Sequence, residues 1–221
     1  MQFSAKYSSS TISLAQWLPC TEAEGPGKRF ALWVQGCPFR CAGCCNPEML
    51  STQGGQKVSI AWIISQLQTS AEKNSLDGIT LLGGEPFAQP GPLAQLAQAA
   101  HAIDLTVMIF SGYTREVLEG HVDSGVKQLF SETDILVDGL YNKDRPEFQR
   151  RWIGSSNQKI HFLTDRVEKN DPRWQRSNTL EIRLEKQSLT INGFPAAHAK
   201  QFWRRIPVSQ RQRPKNSSEE S

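Results

Sequence analysis

Three thiols fall within eight residues in the run Cys37-Pro38-Phe39-Arg40-Cys41-Ala42-Gly43-Cys44. Thiolate sulfur donates strongly to iron, and a cluster of four irons ordinarily takes one protein ligand per iron. Three ligands leave one iron open, much as a catalytic zinc keeps a position free where a structural zinc is closed by four ligands. A structural zinc site or a set of buried free thiols is the plainer alternative. Zinc sites usually present two separated ligand pairs, however, and no second Cys or His pair with that spacing occurs here. Cys37, Cys41 and Cys44 are therefore read as ligands of a [4Fe–4S] cluster. Cys20 stands alone and is read as a buried or free thiol.

A second group is Leu81-Leu82-Gly83-Gly84-Glu85-Pro86, which ends an apolar run with two glycines, an acid and a proline. Bare backbone there lets carbonyls approach a ligand closely, and an ammonium group is satisfied by carbonyls and a carboxylate. An ordinary tight turn is the alternative, favoured if the segment stood alone. Ser111, Gly112 and Asp138 follow later apolar runs and are the remaining candidates for a cofactor site; a loop leading into a helix capped by Thr114 and an acid closing a strand are their structural counterparts. The four histidines, His101, His121, His161 and His198, show no spacing that suggests a metal site or a catalytic pair.

The elements that must position these residues follow from periodicity. Thr11 to Leu14 alternates like a short half-buried strand, and Phe30 to Val34 is a continuous apolar run that fits a strand buried on both faces. Ile60, Ile63, Ile64 and Leu67 have helical spacing, and Ile79 to Leu82 is a second buried strand. A helix with Leu93, Leu96 and Ala97, a strand from Leu105 to Phe110, a helix from Thr114 and a strand from Ile135 to Val137 continue the alternation, which predicts a parallel sheet flanked by helices. In such sheets ligands bind beyond the carboxyl ends of the strands, where the cysteines, Gly83 to Pro86, Ser111 and Asp138 all fall. Residues 142–157 are a long polar loop, 159–163 a further strand, and 180–184 with 188–191 a closing pair of strands. Trp33 and Trp62 are read as core.

Composition sets the outer bounds. The chain has 221 residues, 38% of them apolar, enough for one substantial core. We expect a single domain: an N-terminal strand and lead-in over 1–24, a core over 25–195, and a basic, disordered tail over 196–221. A net charge of +3, from 25 basic and 22 acidic residues, is too balanced to argue for nucleic acid. No run is long and apolar enough to span a bilayer or to serve as a signal peptide, so no membrane partner is expected. Four of five cysteines crowd into nine residues, which is poor spacing for disulfides and implies a reducing, cytoplasmic setting.

With these residues in view, the chain resembles the radical S-adenosylmethionine superfamily, and within it the activating enzymes of anaerobic (class III) ribonucleotide reductase. The resemblance runs in order through Gly25-Pro26-Gly27-Lys28-Arg29, Val34-Gln35-Gly36-Cys37-Pro38, Cys44 with Asn46-Pro47-Glu48, Gly83-Gly84-Glu85-Pro86, Ser111-Gly112-Tyr113-Thr114, Leu136-Val137-Asp138-Gly139 and Gly154-Ser155-Ser156-Asn157-Gln158. It implies an α/β fold of the partial (β/α) barrel type. It also implies S-adenosyl-L-methionine chelating the open iron, its amine held by Gly83 to Glu85, and reductive cleavage to a 5′-deoxyadenosyl radical. That radical would remove a hydrogen from a glycine of a partner glycyl radical enzyme, with a flavodoxin or ferredoxin-type protein as electron donor. No catalytic residue is assigned beyond the cluster ligands. Radical modification of another peptide or small molecule is the enzymatic alternative, and a non-catalytic metal or electron-transfer module the alternative of another class. Two departures stand out. Cys45 occupies a position where these activases commonly have histidine, and is read as an inert neighbour with a spare-ligand role as the alternative. Gly139-Leu140-Tyr141 replaces a frequent Gly-Pro-Phe, which bears on the identity of the protein substrate.

Overall fold

The computed structural model describes residues 10–185 and 188–194; the expected tail over 196–221 and the lead-in before Ser10 lie outside the described residues. The strands are β1 (Thr11–Thr21), β2 (Arg29–Val34), β3 (Gln56–Ser59), β4 (Gly78–Gly83), β5 (Thr106–Phe110), β6 (Ile135–Asp138), β7 (Lys159–Phe162), β8 (Leu180–Glu185) and β9 (Ser188–Gly193). The helices are α1 (Ile60–Asn74), α2 (Pro90–His101), α3 (Arg115–Glu119) and α4 (Ser124–Ser131). Seven strands form one sheet in the order β3-β1-β2-β4-β5-β6-β7, while β8 and β9 make a separate hairpin. The four strands β2, β4, β5 and β6 run parallel. Both flanks are antiparallel, β3 and β1 on one side and β7 on the other. The fold is thus an α/β single domain with a mixed sheet whose parallel centre matches the predicted alternation.

Successive residues of a strand point to opposite faces, and the two faces here have different partners. Phe30, Leu32 and Val34 of β2, Ile79 and Leu81 of β4, and Val107 and Ile109 of β5 enter the core that contains Ile63, Leu67, Leu93 and Leu129 of the helices. Ala31, Trp33 and Leu82 form a smaller cluster with Leu18 and Met49 on the other face. Met108, Ile135 and Val137 meet Trp152 and Ile153 there, with Phe162, Trp174 and Phe194 packed against them. Among the described residues no α-helix packs on this second face, and its own apolar cover is what makes the buried strands read as continuous apolar runs.

Helix boundaries follow local chemistry. The Ser59 side chain accepts the Trp62 N–H at the start of α1, and Ser75 closes it in the left-handed region with φ of 50°. Asp123 accepts from Gly125 and Val126 to start α4, a helix too short to show a clear period in sequence. The edge strand β3, four residues long, also escaped periodicity, and β1 extends to Thr21 rather than ending near Leu14. Trp62 is not core: it is 41% exposed and meets Trp17 edge-on, which shields only part of its ring.

The amino ends of the parallel strands are pegged by Arg29, which is wholly buried. Its guanidinium donates to Thr80 Oγ1 at 2.7 Å, Thr106 Oγ1 at 3.1 Å, Thr106 O at 3.0 Å, Pro26 O at 3.2 Å and Ile79 O, so one side chain joins β2, β4 and β5. Gly25 and Gly78 make room for it, since a Cβ at either would lie 2.5 or 2.6 Å from the Arg29 side chain. Burial lowers the Arg29 pKa to about 9. At this same end His101 is clamped between Glu132 Oε2 and Asp134 Oδ2, each 2.9 Å away, with Asp134 also accepting Val107 N at 2.7 Å. The block Gly25 to Arg29 is therefore a structural peg at the edge opposite the cysteines.

Candidate functional site

The carboxyl ends of β2, β4, β5 and β6 carry the residues read as cluster ligands and cofactor contacts: Cys37, Cys41, Cys44, Gly83 to Pro86, Ser111, Gly112 and Asp138. The cysteine loop leaves β2 at Val34 and is closed at its base by two backbone bonds, Gly36 N to Met49 O at 2.9 Å and Cys37 N to Leu50 O at 3.1 Å. The buried Gln35 side chain reinforces that closure by donating to Glu48 O at 3.0 Å and Ser51 O at 2.7 Å. Gln89 adds a second brace, donating to Ser13 O and Gln35 O at 3.0 Å each. Cys37, Cys41 and Cys44 are all half-buried along the closed loop, and Cys44 N donates to Cys41 O at 3.2 Å. Cys45 is exposed. Its thiol donates to Cys44, which pulls Cys44 below the usual thiol range, whereas burial pushes Cys37 up.

Among the described residues no three metal-binding side chains converge on a point suited to a single ion. Cys37, Cys41 and Cys44 offer three thiolates from one loop, the donor type that iron–sulfur clusters take.

The Gly83–Pro86 turn lies directly against this loop. Gly84 N donates to Val34 O at 2.8 Å and Glu85 N to Gly36 O at 2.9 Å, so the turn and the loop base form one backbone assembly. The glycine pair is demanded by that contact: a Cβ on Gly84 would sit 2.2 Å from Gly36 O, and one on Gly83, whose φ is +107°, 2.6 Å from Val34 N. Glu85 is 1% exposed and accepts from Phe87 N at 3.0 Å, Ser111 Oγ at 3.0 Å and Gly112 N at 2.8 Å. Burial pushes its pKa up to about 7 against those donors. Glu85 thereby joins the ends of β2, β4 and β5, bringing Ser111 and Gly112 to the cysteine loop. Phe39 completes the junction, with its ring 4.8 Å from that of Tyr113.

Asp138 closes the next strand and is buried. Its Oδ2 accepts Arg115 N at 2.7 Å, so Asp138 rather than the Thr114 side chain caps α3. His161 Nε2 lies 3.0 Å from the same oxygen but off the hydrogen-bonding direction. The Ser155–Gln158 block serves the neighbouring loop: Gln158 Nε2 donates to Gly139 O at 2.9 Å, Asn157 Nδ2 to Leu140 O at 2.8 Å, and Ser155 Oγ accepts Asn142 N at 3.1 Å. A cavity of about 430 Å³ opens where these loops meet, lined by Phe39, Tyr113, Asp138, Leu140, Asn157 and Lys159 among others. Periodicity and spacing gave no hint of Phe39, Gln35, Gln89 or Lys159. Their roles rest on contacts that only the tertiary fold brings together.

The closed cysteine loop thus sits at the carboxyl edge of the parallel strands, and comparison with known proteins supplies its family. Residues 23–161 match the family model described as a 4Fe-4S single cluster domain. The chain is 31% identical over 157 residues to the anaerobic ribonucleoside-triphosphate reductase-activating protein of Vibrio cholerae serotype O1, a match covering 67% of this chain and 97% of that one. The corresponding protein of Escherichia coli K12 is 32% identical over 155 residues, with 67% and 97% covered, and that of Enterobacteria phage T4 28% identical over 158 residues, with 69% and 96% covered. The chain belongs to the 4Fe–4S single-cluster family and, within it, to the anaerobic ribonucleoside-triphosphate reductase-activating proteins.

Proposed function

We propose that this chain is a radical S-adenosylmethionine enzyme of the activating type, built on a partial (β/α) barrel, which installs a glycyl radical on an anaerobic ribonucleotide reductase in the cytoplasm. The observation that carries the reading is the three-thiol loop, bonded through its own base to the Gly83–Pro86 turn. Cys37, Cys41 and Cys44 would hold the cluster, and Gly83, Gly84, Glu85 and Pro86 would frame the amine of the cofactor, with Ser111, Gly112 and Asp138 alongside. When bound, the cluster and S-adenosylmethionine would supply the one-electron chemistry needed to make a radical on a glycine of the partner protein. The chain's own contribution is to fix three loops in one assembly and to keep their meeting point dry, through the buried Glu85 hub and the apolar layer of Trp33, Leu82 and Val137 beneath it. The electron would come from a flavodoxin or ferredoxin-type donor.

The test is anaerobic reconstitution with iron and sulfide, followed by reduction and assay of 5′-deoxyadenosine with and without a candidate reductase, with electron paramagnetic resonance reporting the glycyl radical. Alanine at Cys37, Cys41 or Cys44 should abolish turnover, and Cys20→Ala should leave it nearly intact. Equal sensitivity at all four, or no 5′-deoxyadenosine from the reconstituted wild type, would refute the reading. A Cys44→Ala protein that still assembles an active cluster would give Cys45 the role of spare ligand.

A further inference from the structure

The four histidines show no spacing that pairs them with one another, yet the fold brings His161 to a residue of the site. His161 lies on β7, which runs antiparallel to β6 in the register that sets Asp138 against Lys159 and Leu136 against His161. Residues two apart on a strand share a face, so Asp138 and His161 are diagonal neighbours across the pair. Asp138 is 3% exposed, and its Oδ2 accepts Arg115 N at 2.7 Å and has His161 Nε2 at 3.0 Å. Among the described residues no donor engages its Oδ1. Asp138 and Lys159 line the cavity of about 430 Å³, whereas His161 stands behind Asp138 and takes no part in the lining. The His161 Nε2 is buried and makes no hydrogen bond. A lone pair held 3.0 Å from a carboxylate oxygen would be repelled, so Nε2 carries the proton. A small rotation of the ring then completes the bond, which accounts for a buried donor left so close to an acceptor.

We propose that His161 is a positioning residue for Asp138: it commits Oδ2 to the protein and so turns Oδ1 to the cavity, as the acceptor for a donor group of the cofactor. This rests on the function proposed above, which puts Asp138 beside that cofactor. A carboxylate held by a single N–H can swing about that bond. A second donor on the same oxygen, reaching across from the neighbouring strand, stops the swing. The His161 and Asp138 side chains are only 16% and 4% exposed, and such burial strengthens the contact. His161 touches no ligand and takes no part in the chemistry.

The test is a double-mutant cycle over H161F and D138N, with H161Q as the rescue. Asparagine keeps an oxygen for Arg115 N and so keeps the cap of α3, phenylalanine keeps a ring without the donor, and glutamine offers an amide N–H in its place. In the reconstituted enzyme H161F should raise the dissociation constant for S-adenosylmethionine about tenfold with kcat at saturation within about twofold, and H161Q should recover most of the affinity. In the D138N background H161F should change affinity by less than about twofold, because the residue acts only through the carboxylate. Equal losses in the two backgrounds, or a glutamine no better than phenylalanine, overturn the inference. The same cycle on the apo-protein, followed by urea unfolding, should couple the pair by at least about threefold in the unfolding equilibrium constant, and additive effects there overturn it as well. Should H161F fail to fold, H161L takes its place in both cycles. A wild type that binds no S-adenosylmethionine strikes the functional reading and this inference together, whereas a binding wild type with additive variants strikes this inference only.

Discussion

Replacing Gly84 by alanine puts one methyl group between two backbones that touch. The added Cβ would lie 2.2 Å from Gly36 O and 2.8 Å from Gly36 C, and real Cβ contacts essentially never fall below 3.0 Å. The turn and the cysteine-loop base must therefore part by about 0.8 Å, and backbone on both sides leaves no flexible side chain to absorb it. A separation of that size carries the Glu85 N to Gly36 O bond from 2.9 Å out of hydrogen-bonding range and strains the adjacent Gly84 N to Val34 O bond at 2.8 Å. Overpacking costs about 1–3 kcal/mol and each lost bond about 1 kcal/mol, so the apo-protein should lose about 2–5 kcal/mol. Chemical denaturation measures this loss, and iron content after reconstitution should fall well below wild type because the loop base has moved. Gly91, where an added methyl group would meet nothing within 4 Å, is the control: near the start of α2, Gly91→Ala should be neutral or stabilise by up to about 1 kcal/mol. A G84A protein within about 0.5 kcal/mol of wild type and fully loaded with iron would refute the backbone-assembly argument.

Other perturbations probe the frame around this junction. Arg29→Met removes the peg under β2, β4 and β5 and leaves its buried acceptors unpaired, an expected loss of about 3–5 kcal/mol in urea unfolding with no direct effect on the cysteine loop. The buried carboxyl of Glu24, pushed up to about 7 by desolvation, binds its proton more tightly folded than unfolded. Its favourable contribution is complete below about pH 4.5 and is lost as the pH rises through about 7, so Glu24→Gln should flatten the stability profile in that window by up to about 3 kcal/mol. Equal slopes in the two proteins would remove Glu24 from the account. Gln158→Ala frees Gly139 O and the N–H groups of Gly154 and Ser155. It should cost about 1–3 kcal/mol and raise hydrogen exchange over 139–142 while leaving α1 protected.

The parallel centre of the sheet was legible because its strands are buried on both faces and its helices α1 and α2 carry an apolar stripe. What sequence could not show was which partner each face would take. Trp152 from a loop and Trp174 from the 3₁₀ turn Pro172–Gln175 cover the second face, and Trp152 does so with a φ of 59°, a conformation that no pattern of apolar residues announces. That Cys37, Cys41 and Cys44 share one loop was legible for a different reason: their spacing is short, and sequence distance there limits spatial distance. Glu85 was placed at the right edge, but its three donors come from Phe87, Ser111 and Gly112, two of them on the next strand's loop. Likewise the polar Ser155 to Gln158 block, singled out only by the resemblance, gave no sign in sequence of its partners. The side chains of Ser155, Asn157 and Gln158 bond the backbone of 139–142, a pairing that only the folded chain brings about.

That so many motif side chains bind backbone changes what their substitution can report. Glu85 offers Oε1 to Phe87 N and Ser111 Oγ, and Oε2 to Gly112 N. A glutamine that keeps its oxygen at the Oε1 position must turn its amide NH₂ toward the Gly112 N–H, exchanging an acceptor for a donor facing a donor. Hydrogen bonds to a charged group contribute about 1.5–3 kcal/mol, so E85Q should weaken the apo-protein by that order at pH 8, where Glu85 is ionised. If the carboxylate acted only on a bound ammonium group, apo-protein stability would instead be unaltered and cofactor affinity alone would fall. Measuring urea unfolding of the apo-protein beside cofactor binding by the reconstituted enzyme separates the two. Loss of stability together with slack iron loading follows from Glu85 as the tie between β4, β5 and the cysteine loop, and an apo-protein as stable as wild type would show that the tie carries no weight.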